Sequence, residues 1–578
     1  MALHCVMWLG ILLACLSHLL EVKGSTYRAA VLEHELLGGY DSSDLEVFVV
    51  NNLRAYAGNA TEAAENGADL IVFPEYGIIG PGSATKDRNL LADKYAQDVP
   101  NPEDILWNPC DRAAELTQNT LILYELSCIA KNNSIAVAAN LLSREFCDGT
   151  QDTTCPEDEK FIYNTNVIFD KNGTLVGRYH KHHLFKEYSI DPGPESGITI
   201  VDLGFAQFAT LVCYDIMFAE PAIDYVKKHN IKNIILPTAW IDTMPFMTSI
   251  QLFARFAQGL GINLLAANLH LPYNGYMGSG IYSSHKGALE EIYDLSTPTK
   301  LLIADVPIEP PVSAENKHDC DTSSTVKSIR HRFCERKDFF TGSNVYLIGD
   351  SFKVTDLPTE TPVRALHNHT YWFIPIENSV YVFLEAESDD VSLCHNDVCC
   401  RVSYHFANRS RNVHYALSGF SGYLNSSEDL RLYQQGCGLL RCESRDGLSC
   451  GDVPTTGDNA QFSRLVLSGD FATDFLYPNV FSTHLRNIDT GEWTFSKVSC
   501  TTNEKCARSG ASIQMDSHTY DTILTMRISG RVYERDFPKI VPLELSYSGL
   551  HNSAFEPNHV ILMITCLNSI FFVMLIGA

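Results

Sequence analysis

The sequence predicts an α/β domain followed by a second, mainly β domain that is rich in disulfides. From residue 27 to about 310, strand-like apolar runs alternate with segments of helical periodicity. Beyond about residue 340 the apolar runs become short, aromatic and β-branched, as in all-β domains. Of the fifteen cysteines outside the two terminal segments, ten lie beyond residue 319. Two domains also suit a length of 578 residues, which is too long for one ordinary domain.

The first half of the α/β domain begins with a predicted strand at residues 27–33. Residues 45–65 form a predicted helix, because Val49, Leu53 and Tyr56 recur at near-helical spacing and Gly67 can end it. A buried strand is expected at residues 69–74, where Leu-Ile-Val-Phe is unbroken. A second helix follows at 121–131 and a strand at 135–140.

The second half contains a hairpin signal among crossover units. Asn172-Gly173 separates apolar runs at 163–170 and 174–179, which is typical of a tight β-turn. Further strands are predicted at 205–212, 234–236 and 263–268, and helices at 221–228 and 248–259. This mixture of crossovers and a hairpin indicates a layered sheet with helices outside.

The domain boundaries follow from composition. We place the α/β domain at residues 26–310, a polar linker at 311–340 and the β domain at 341–548. Strands are expected in the β domain at 371–374 and 380–384.

Both ends of the chain resemble targeting segments. Residues 1–25 contain an apolar run followed by small residues, as in a secretory signal. Residues 549–578 combine a polar stretch with an uncharged tail, as in a GPI-attachment signal that is removed, although the tail is also long enough for a transmembrane helix. We therefore expect a protein anchored by lipid in the outer leaflet of the plasma membrane, with free secretion as the alternative.

The cysteines and glycosylation sequons fit an extracellular chain. Setting aside the three cysteines in the terminal segments leaves an odd number, so one free thiol is expected, and Cys213 is the candidate. Cys147 and Cys155 form a plausible local disulfide. The cluster near Cys400 is interpreted as disulfide-bonded rather than zinc-binding. Six asparagines lie in Asn-x-Ser/Thr sequons: Asn59, Asn132, Asn172, Asn368, Asn408 and Asn425.

The overall charge excludes one class of partner. The formal net charge is −26, whereas nucleic-acid binding requires a basic face. We therefore expect no nucleic-acid partner. The sequence leaves the oligomeric state open.

Three reactive residues each follow an apolar, strand-like run. Glu75 ends Val-Phe-Pro-Glu, Lys181 follows Arg-Tyr-His, and Cys213 precedes Tyr-Asp. A carboxylate, an ammonium and a thiol can serve as base, oxyanion stabiliser and nucleophile in acyl transfer through a thioester. The N–H of Tyr214 is the expected second oxyanion donor. Because Cys213 precedes a turn into a helix, we expect the helix dipole to favour its thiolate.

Each of these residue types also has a common structural role. A single cysteine is usually part of a core or a disulfide, and an isolated Glu or Lys is usually solvated. The histidines His180, His182 and His183 lack the carboxylate and spacing of a zinc helix. The expected chemistry requires neither a metal nor an organic cofactor.

The three segments resemble the signature regions of the nitrilase, or carbon–nitrogen hydrolase, superfamily. The resemblance implies an αββα sandwich and a catalytic triad of Glu75, Lys181 and Cys213. The segments 237–240, 265–268, 278–281, 394–400 and 531–536 are similar to the vanin and biotinidase branch. One departure is Tyr76-Gly77-Ile78, beside the expected base, which affects the pocket wall.

The resemblance implies hydrolysis of a linear carboxamide. Vanins hydrolyse pantetheine to pantothenate and cysteamine, and biotinidase releases biotin from biocytin. The lipid-anchor signal favours the vanin-like activity, with the biotinidase activity as the alternative. A catalytically silent binding protein on the cell surface is a further hypothesis. The anchor attachment residue, the disulfide connectivity and the role of the second domain stay open.

Overall fold

The computed structural model describes most of both domains. The described residues are 26–38, 45–115, 117–150, 152–194, 197–295, 299–309, 351–353, 363–366, 369–373, 379–427, 430–445, 447–502, 506–515 and 523–536. The predicted signal, linker and anchor segments, and Asn368, lie outside these residues. No helix in the described ranges is both long and apolar enough to cross a bilayer.

The N-terminal domain contains thirteen strands and five helices within the described ranges. The strands are β1 (Thr26–Glu33), β2 (Leu70–Val72), β3 (Ala136–Phe146), β4 (Lys160–Phe169), β5 (Leu175–His180), β6 (Ile200–Asp202), β7 (Gln207–Thr210), β8 (Asn233–Pro237), β9 (Thr243–Met244), β10 (Asn263–Ala267), β11 (Ser279–Ser283), β12 (Gly287–Ile292) and β13 (Lys300–Pro307). The helices are α1 (Leu45–Glu65), α2 (Arg88–Lys94), α3 (Leu121–Asn133), α4 (Ala222–Lys227) and α5 (Ser249–Leu260).

Twelve of these strands form two six-stranded mixed sheets. One has the order β13-β1-β2-β3-β4-β5, and the other has the order β12-β11-β10-β8-β7-β6. Side chains from both sheets, such as Val31, Val72, Phe208 and Leu265, form one buried cluster between them. The outer face of the first sheet packs against α1 and α3, and that of the second packs against α4 and α5. This is the αββα sandwich that the sequence resemblance implies, so the predicted fold class is confirmed.

The C-terminal domain is made of strands, as predicted. They are β14 (Ser351–Lys353), β15 (Val363–Leu366), β16 (His369–Phe373), β17 (Val380–Phe383), β18 (Ser388–His395), β19 (Val398–Arg409), β20 (His414–Ser427), β21 (Leu430–Cys442), β22 (Ala460–Phe471), β23 (Phe475–Ser482), β24 (Trp493–Thr502), β25 (Cys506–Met515) and β26 (Ile523–Arg531). Two sheets, β14-β17-β20-β21-β26-β23 and β18-β19-β22-β25-β24, enclose an apolar core.

Five disulfides are formed among the described residues. They are Cys110–Cys128, Cys147–Cys155, Cys394–Cys399, Cys400–Cys437 and Cys442–Cys450. The predicted local pair is therefore present, and the cluster near Cys400 is disulfide-bonded. Within the described part of the chain, Cys213 is the free cysteine, and it is buried.

The two domains share secondary structure. The short strand β9 of the first domain pairs in parallel with β16 of the second, with Thr243 opposite Trp372. Helix α5 lies between the second sheet and the C-terminal domain, where Gln251 donates a hydrogen bond to Thr525 at 3.1 Å. The C-terminal domain therefore covers a face of the sandwich that would otherwise be solvated.

Candidate active site

Cys213 opens a tight turn at the end of a buried strand. Strand β7 ends at Thr210, and residues Cys213–Met217 form a 3-10 turn. The φ of Cys213 is +47°, a left-handed value that is uncommon for a residue other than glycine and indicates local strain. Buried Asp215 supports the turn by accepting hydrogen bonds from the N–H of Val212 at 3.1 Å and the hydroxyl of Tyr179 at 2.8 Å.

Glu75 lies beyond the carboxyl end of β2 and is 1% exposed. Its Oε1 accepts hydrogen bonds from Lys181 Nζ at 2.8 Å and from Asn164 Nδ2 at 2.7 Å. Its Oε2 accepts the N–H of Ala239, just beyond β8, at 2.8 Å. Donors from β4 and from the residues that follow β5 and β8 therefore fix the carboxylate in one orientation.

Lys181 directly follows β5 and is as buried as Glu75. Its ammonium donates hydrogen bonds to Glu75 and to Glu187, both at 2.8 Å. Burial lowers the pKa of Lys181, but Glu187 and then Glu75 offset this effect, so the pKa lies well above its ordinary value. The lysine is therefore a fixed positive charge in the site.

Glu187 was missed by the sequence analysis. Besides Lys181, it accepts hydrogen bonds from Asn164 Nδ2 at 2.8 Å, from the N–H of Phe185 at 2.9 Å and from the Tyr76 hydroxyl. The one local signal was Asn164, which begins a polar Asn-Thr-Asn run in the buried part of strand β4. The departure noted at Tyr76 thus has a structural role, because this residue, with φ of +57°, contacts the second carboxylate.

The site holds Cys213 as a neutral thiol. Burial raises the pKa of Cys213, and the charge of Glu75 raises it further, whereas Lys181 acts in the opposite direction. Burial therefore outweighs the stabilisation of the thiolate that we expected from a helix dipole. The five-residue turn does not offset the desolvation of an anion in this enclosed site.

Glu75 can accept the proton that this thiol must lose. Its pKa is raised by burial, lowered by Lys181 and raised again by Glu187, with a net upward shift. A carboxylate with a raised pKa is a better base towards a thiol than a solvated one. The arrangement therefore places a nucleophile, a proton acceptor and a fixed cation in one buried site.

The remaining predicted residues are the sequon asparagines and Tyr214. Asn132, Asn172 and Asn408 are exposed, and Asn59 is half-buried on α1, where its Nδ2 donates to the carbonyl of Ala55. The backbone of Asn425 lies in β20, and nothing is described of its side chain. Tyr214 is the second residue of the nucleophile's turn, and its ring contacts that of Phe185.

The three histidines bond to protein groups. His182 Nδ1 lies 2.7 Å from the carbonyl of Gly193, and His183 Nδ1 lies 3.0 Å from Asp215. His180 lies 2.8 Å from the hydroxyl of Thr165. In the described ranges, no group of three or more His, Cys, Asp or Glu residues has an arrangement that could hold a metal ion.

Two family models match the chain. The carbon–nitrogen hydrolase model matches residues 39–255, which include Glu75, Lys181 and Cys213, and the vanin C-terminal domain model matches residues 370–536. Together the two models include most of both domains.

Known relatives match along most of the chain. Human pantetheinase is 31% identical over 514 residues, 88% of each chain. Mouse pantetheinase is 31% identical over 91% of this chain and 93% of its own. Biotinidase of Takifugu rubripes is 31% identical over 80% of this chain and 88% of its own. A solved amidase from Nesterenkonia sp. aligns with 50% of this chain and 92% of its own, at 22% identity and a TM-score of 0.35, which is too low to support an argument.

These matches define the class of protein. The fold, the site and the first model are those of a hydrolase that acts on amide C–N bonds. The chain belongs to the carbon–nitrogen hydrolase (nitrilase) superfamily, in the branch that contains the vanins and biotinidases.

Proposed function

We propose that this protein hydrolyses pantetheine to pantothenate and cysteamine through a thioester on Cys213. The observation that carries the proposal is the buried Glu75–Lys181 pair, which acts electrostatically on the only free thiol of the described chain. The substrate is inferred from the pantetheinases that match along most of their length.

In the first half-reaction, Glu75 takes the proton of Cys213, and the sulfur attacks the amide carbonyl. Lys181 and the N–H of Tyr214 stabilise the oxyanion that develops. Glu75 then returns the proton to the nitrogen as the C–N bond breaks, so cysteamine leaves as a neutral amine. The acyl group remains on the sulfur as a thioester.

In the second half-reaction, Glu75 takes a proton from water, and the hydroxide attacks the thioester. The C–S bond breaks and the proton returns to Cys213, which regenerates the thiol. Pantothenate leaves as the acid product. No step requires a metal or an organic cofactor.

We further propose that the mature protein is glycosylated and held by a lipid anchor on the outer face of the plasma membrane. The disulfides support an oxidising compartment. Release of the protein from intact cells by a phosphatidylinositol-specific phospholipase would support the anchor. Recovery of all of it from untreated medium would instead indicate secretion.

A competition assay tests the substrate. The protein, purified from eukaryotic cells, is given pantetheine and biocytin in parallel, with Cys213→Ala and Cys213→Ser as variants. Faster release from pantetheine, lost in both variants, is the expected outcome. Biocytin is the second candidate because a biotinidase also matches 80% of this chain, and preference for it would reverse the assignment. Turnover of neither substrate would refute both.

A further inference from the structure

A cavity lies between the two domains, behind the turn that carries Cys213. Its empty volume is about 320 Å³, part of it open to solvent. Residues of both domains line it: Ile216, Met217, Leu252, Arg255, Phe256, Gln434, Tyr477, Ser529, Arg531 and Tyr533. Cationic and hydroxyl side chains meet apolar ones there, and none of the described residues that line it is a carboxylate.

Three alternate residues of strand β26 lie on the face of the sheet next to this cavity. Arg527, Ser529 and Arg531 are two residues apart, so their side chains lie on one face of the sheet. The guanidinium of Arg527 extends over Gly436, where an added Cβ would lie 2.6 Å from its Nη2. Gly436 faces Ser529 across the ladder, so the guanidinium of Arg527 lies beside the cavity.

Two buried guanidiniums in this region have no carboxylate partner. Arg255 donates to the carbonyl of Phe246 and to the sulfur of Met247, both at 2.8 Å. Arg527 donates to Gln434 at a long 3.4 Å and stacks on the Phe246 ring at 4.0 Å. In the described part of the chain, neither of these arginines forms an ion pair.

The neighbouring residue Arg531 differs from these two. It pairs with Asp536 at 2.6 Å and donates to the carbonyl of Met217 at 3.1 Å. Its charge is therefore balanced, and it ties β26 to the end of the turn that begins at Cys213.

The two unbalanced charges are costly to bury. Burial lowers the pKa of Arg255 to about 10. Burial, followed by repulsion from Arg255, lowers the pKa of Arg527 to about 9. Both groups remain protonated at neutral pH, and unpaired buried charge is strongly destabilising.

Several donors around the cavity also have no acceptor. The hydroxyl of Ser529, the Nε of Arg527 and the Nε of Arg531 are buried and make no hydrogen bond within the described structure. Buried donors normally have a partner, so three together indicate that an acceptor binds there.

We propose that this cavity binds a small inorganic anion, such as chloride or phosphate, between Arg255, Arg527 and Ser529. The anion neutralises both guanidiniums and accepts the unused hydrogen bonds. Because Arg255 belongs to α5 and the other two residues to β26, the anion links the hydrolase domain to the C-terminal domain. Its effect is on stability and is independent of the substrate.

Thermal unfolding of the purified protein tests this proposal. The protein is dialysed into sodium gluconate, which supplies a bulky organic anion as the reference, and sodium chloride, bromide or phosphate is then added at constant ionic strength. A ligand that binds only the folded state raises the unfolding temperature with concentration. We expect a rise with at least one small anion, and comparison of the arms separates halide from phosphate.

The variant Arg527→Met distinguishes an arginine that binds an anion from one that only supports the fold. It should lose the response to the anion, and in gluconate it should unfold at a temperature equal to or above that of the unmodified protein, because an unbalanced charge is removed. The control Arg401→Met removes an exposed arginine of the same domain and should keep the full response. Ser529→Ala, a milder change, should weaken the apparent affinity about tenfold, consistent with loss of a hydrogen bond to a charged group.

Three outcomes would overturn the proposal. One is an unfolding temperature that is the same in all salts at matched ionic strength. Another is an unchanged anion response in both Arg527→Met and Ser529→Ala. The third is a bromide-soaked crystal without an anomalous peak in the cavity, if bromide is among the stabilising anions.

Discussion

Glu187 and Glu75 both accept hydrogen bonds from a single ammonium, each at 2.8 Å from Nζ of Lys181. Asn164 also bonds to both carboxylates through one nitrogen, so the two acids are locked together. With one lysine between two carboxylates, the negative charge of Glu187 raises the proton affinity of Glu75.

Glu187→Gln should lower turnover and shift its pH dependence. Since the charge of Glu187 raises the pKa of Glu75, its removal lowers that pKa. The base must be ionised, so the acid limb of kcat/KM should move to lower pH while kcat falls by about 100-fold. A pH–rate profile measures both effects, with the exposed Glu103→Gln as control. An acid limb that stays in place would contradict the coupling.

Glu75→Gln should change thiol reactivity and turnover in opposite directions. The charge of Glu75 raises the pKa of Cys213, so its removal increases the thiolate fraction at a given pH. Labelling by methyl methanethiosulfonate should therefore become faster, while amide hydrolysis falls because no base remains. Labelling followed by mass spectrometry measures the first effect. If labelling slowed together with turnover, electrostatics would not control this thiol.

Gly193→Ala should displace the backbone of Lys181, although Gly193 itself is not part of the active site. The N–H of Gly193 donates to the carbonyl of Lys181 at 2.8 Å, and an added Cβ would lie 2.3 Å from the carbonyl oxygen of His180. Backbone atoms cannot yield easily, so we expect a loss of about 1–3 kcal/mol in stability and a lower kcat. The matched control is Gly149→Ala, where nothing lies within 4 Å of the new carbon. Urea unfolding measures the stability of both variants, and steady-state kinetics measure their kcat. Equal stability and equal kcat in the two variants would contradict the prediction.

Glu291→Gln should stabilise the protein in a pH-dependent manner. Burial raises the pKa of Glu291 from 4.5 to about 7, although Asn487 of the C-terminal domain donates to it at 2.8 Å. Between these pH values the folded state holds a proton that the unfolded state has released, so stability falls as pH rises through this window. The variant avoids that loss. Its unfolding temperature should exceed that of the unmodified protein by about 2–4 °C above pH 7, with the difference vanishing near pH 4.5. A constant difference across this range would argue against titration of Glu291.

The elements predicted correctly from the sequence are those with a pattern among neighbouring residues, such as helical periodicity or a turn dipeptide. The helix at 45–65 has the predicted bounds, and the Asn172-Gly173 hairpin forms with Gly173 at a φ of +84°. The strand expected at 205–212 is shorter, Gln207–Thr210, because the chain leaves the sheet to form the strained turn at Cys213. Strands β11 to β13 were not predicted, since glycines and charged residues interrupt their apolar pattern.

The predicted triad residues lie together because each follows a strand of the paired sheets. Glu187 could not be found in the same way, because it follows no strand and reaches the site through an irregular segment. Protonation of Cys213 was also beyond the sequence, since it depends on how completely the folded chain excludes water. Likewise, nothing in the sequence of β9 or of β16 indicates that these two strands pair with each other.

That last pairing has a consequence for biosynthesis. Thr243 of β9 is paired with Trp372 of β16, which is synthesised 129 residues later. While the ribosome extends the chain from its N-terminus, the hydrolase half must wait with an open strand edge and an uncovered helix α5. The free thiol of Cys213 lies in the same half of the chain. The edge of β9 and helix α5 are therefore covered only after the C-terminal domain has been synthesised.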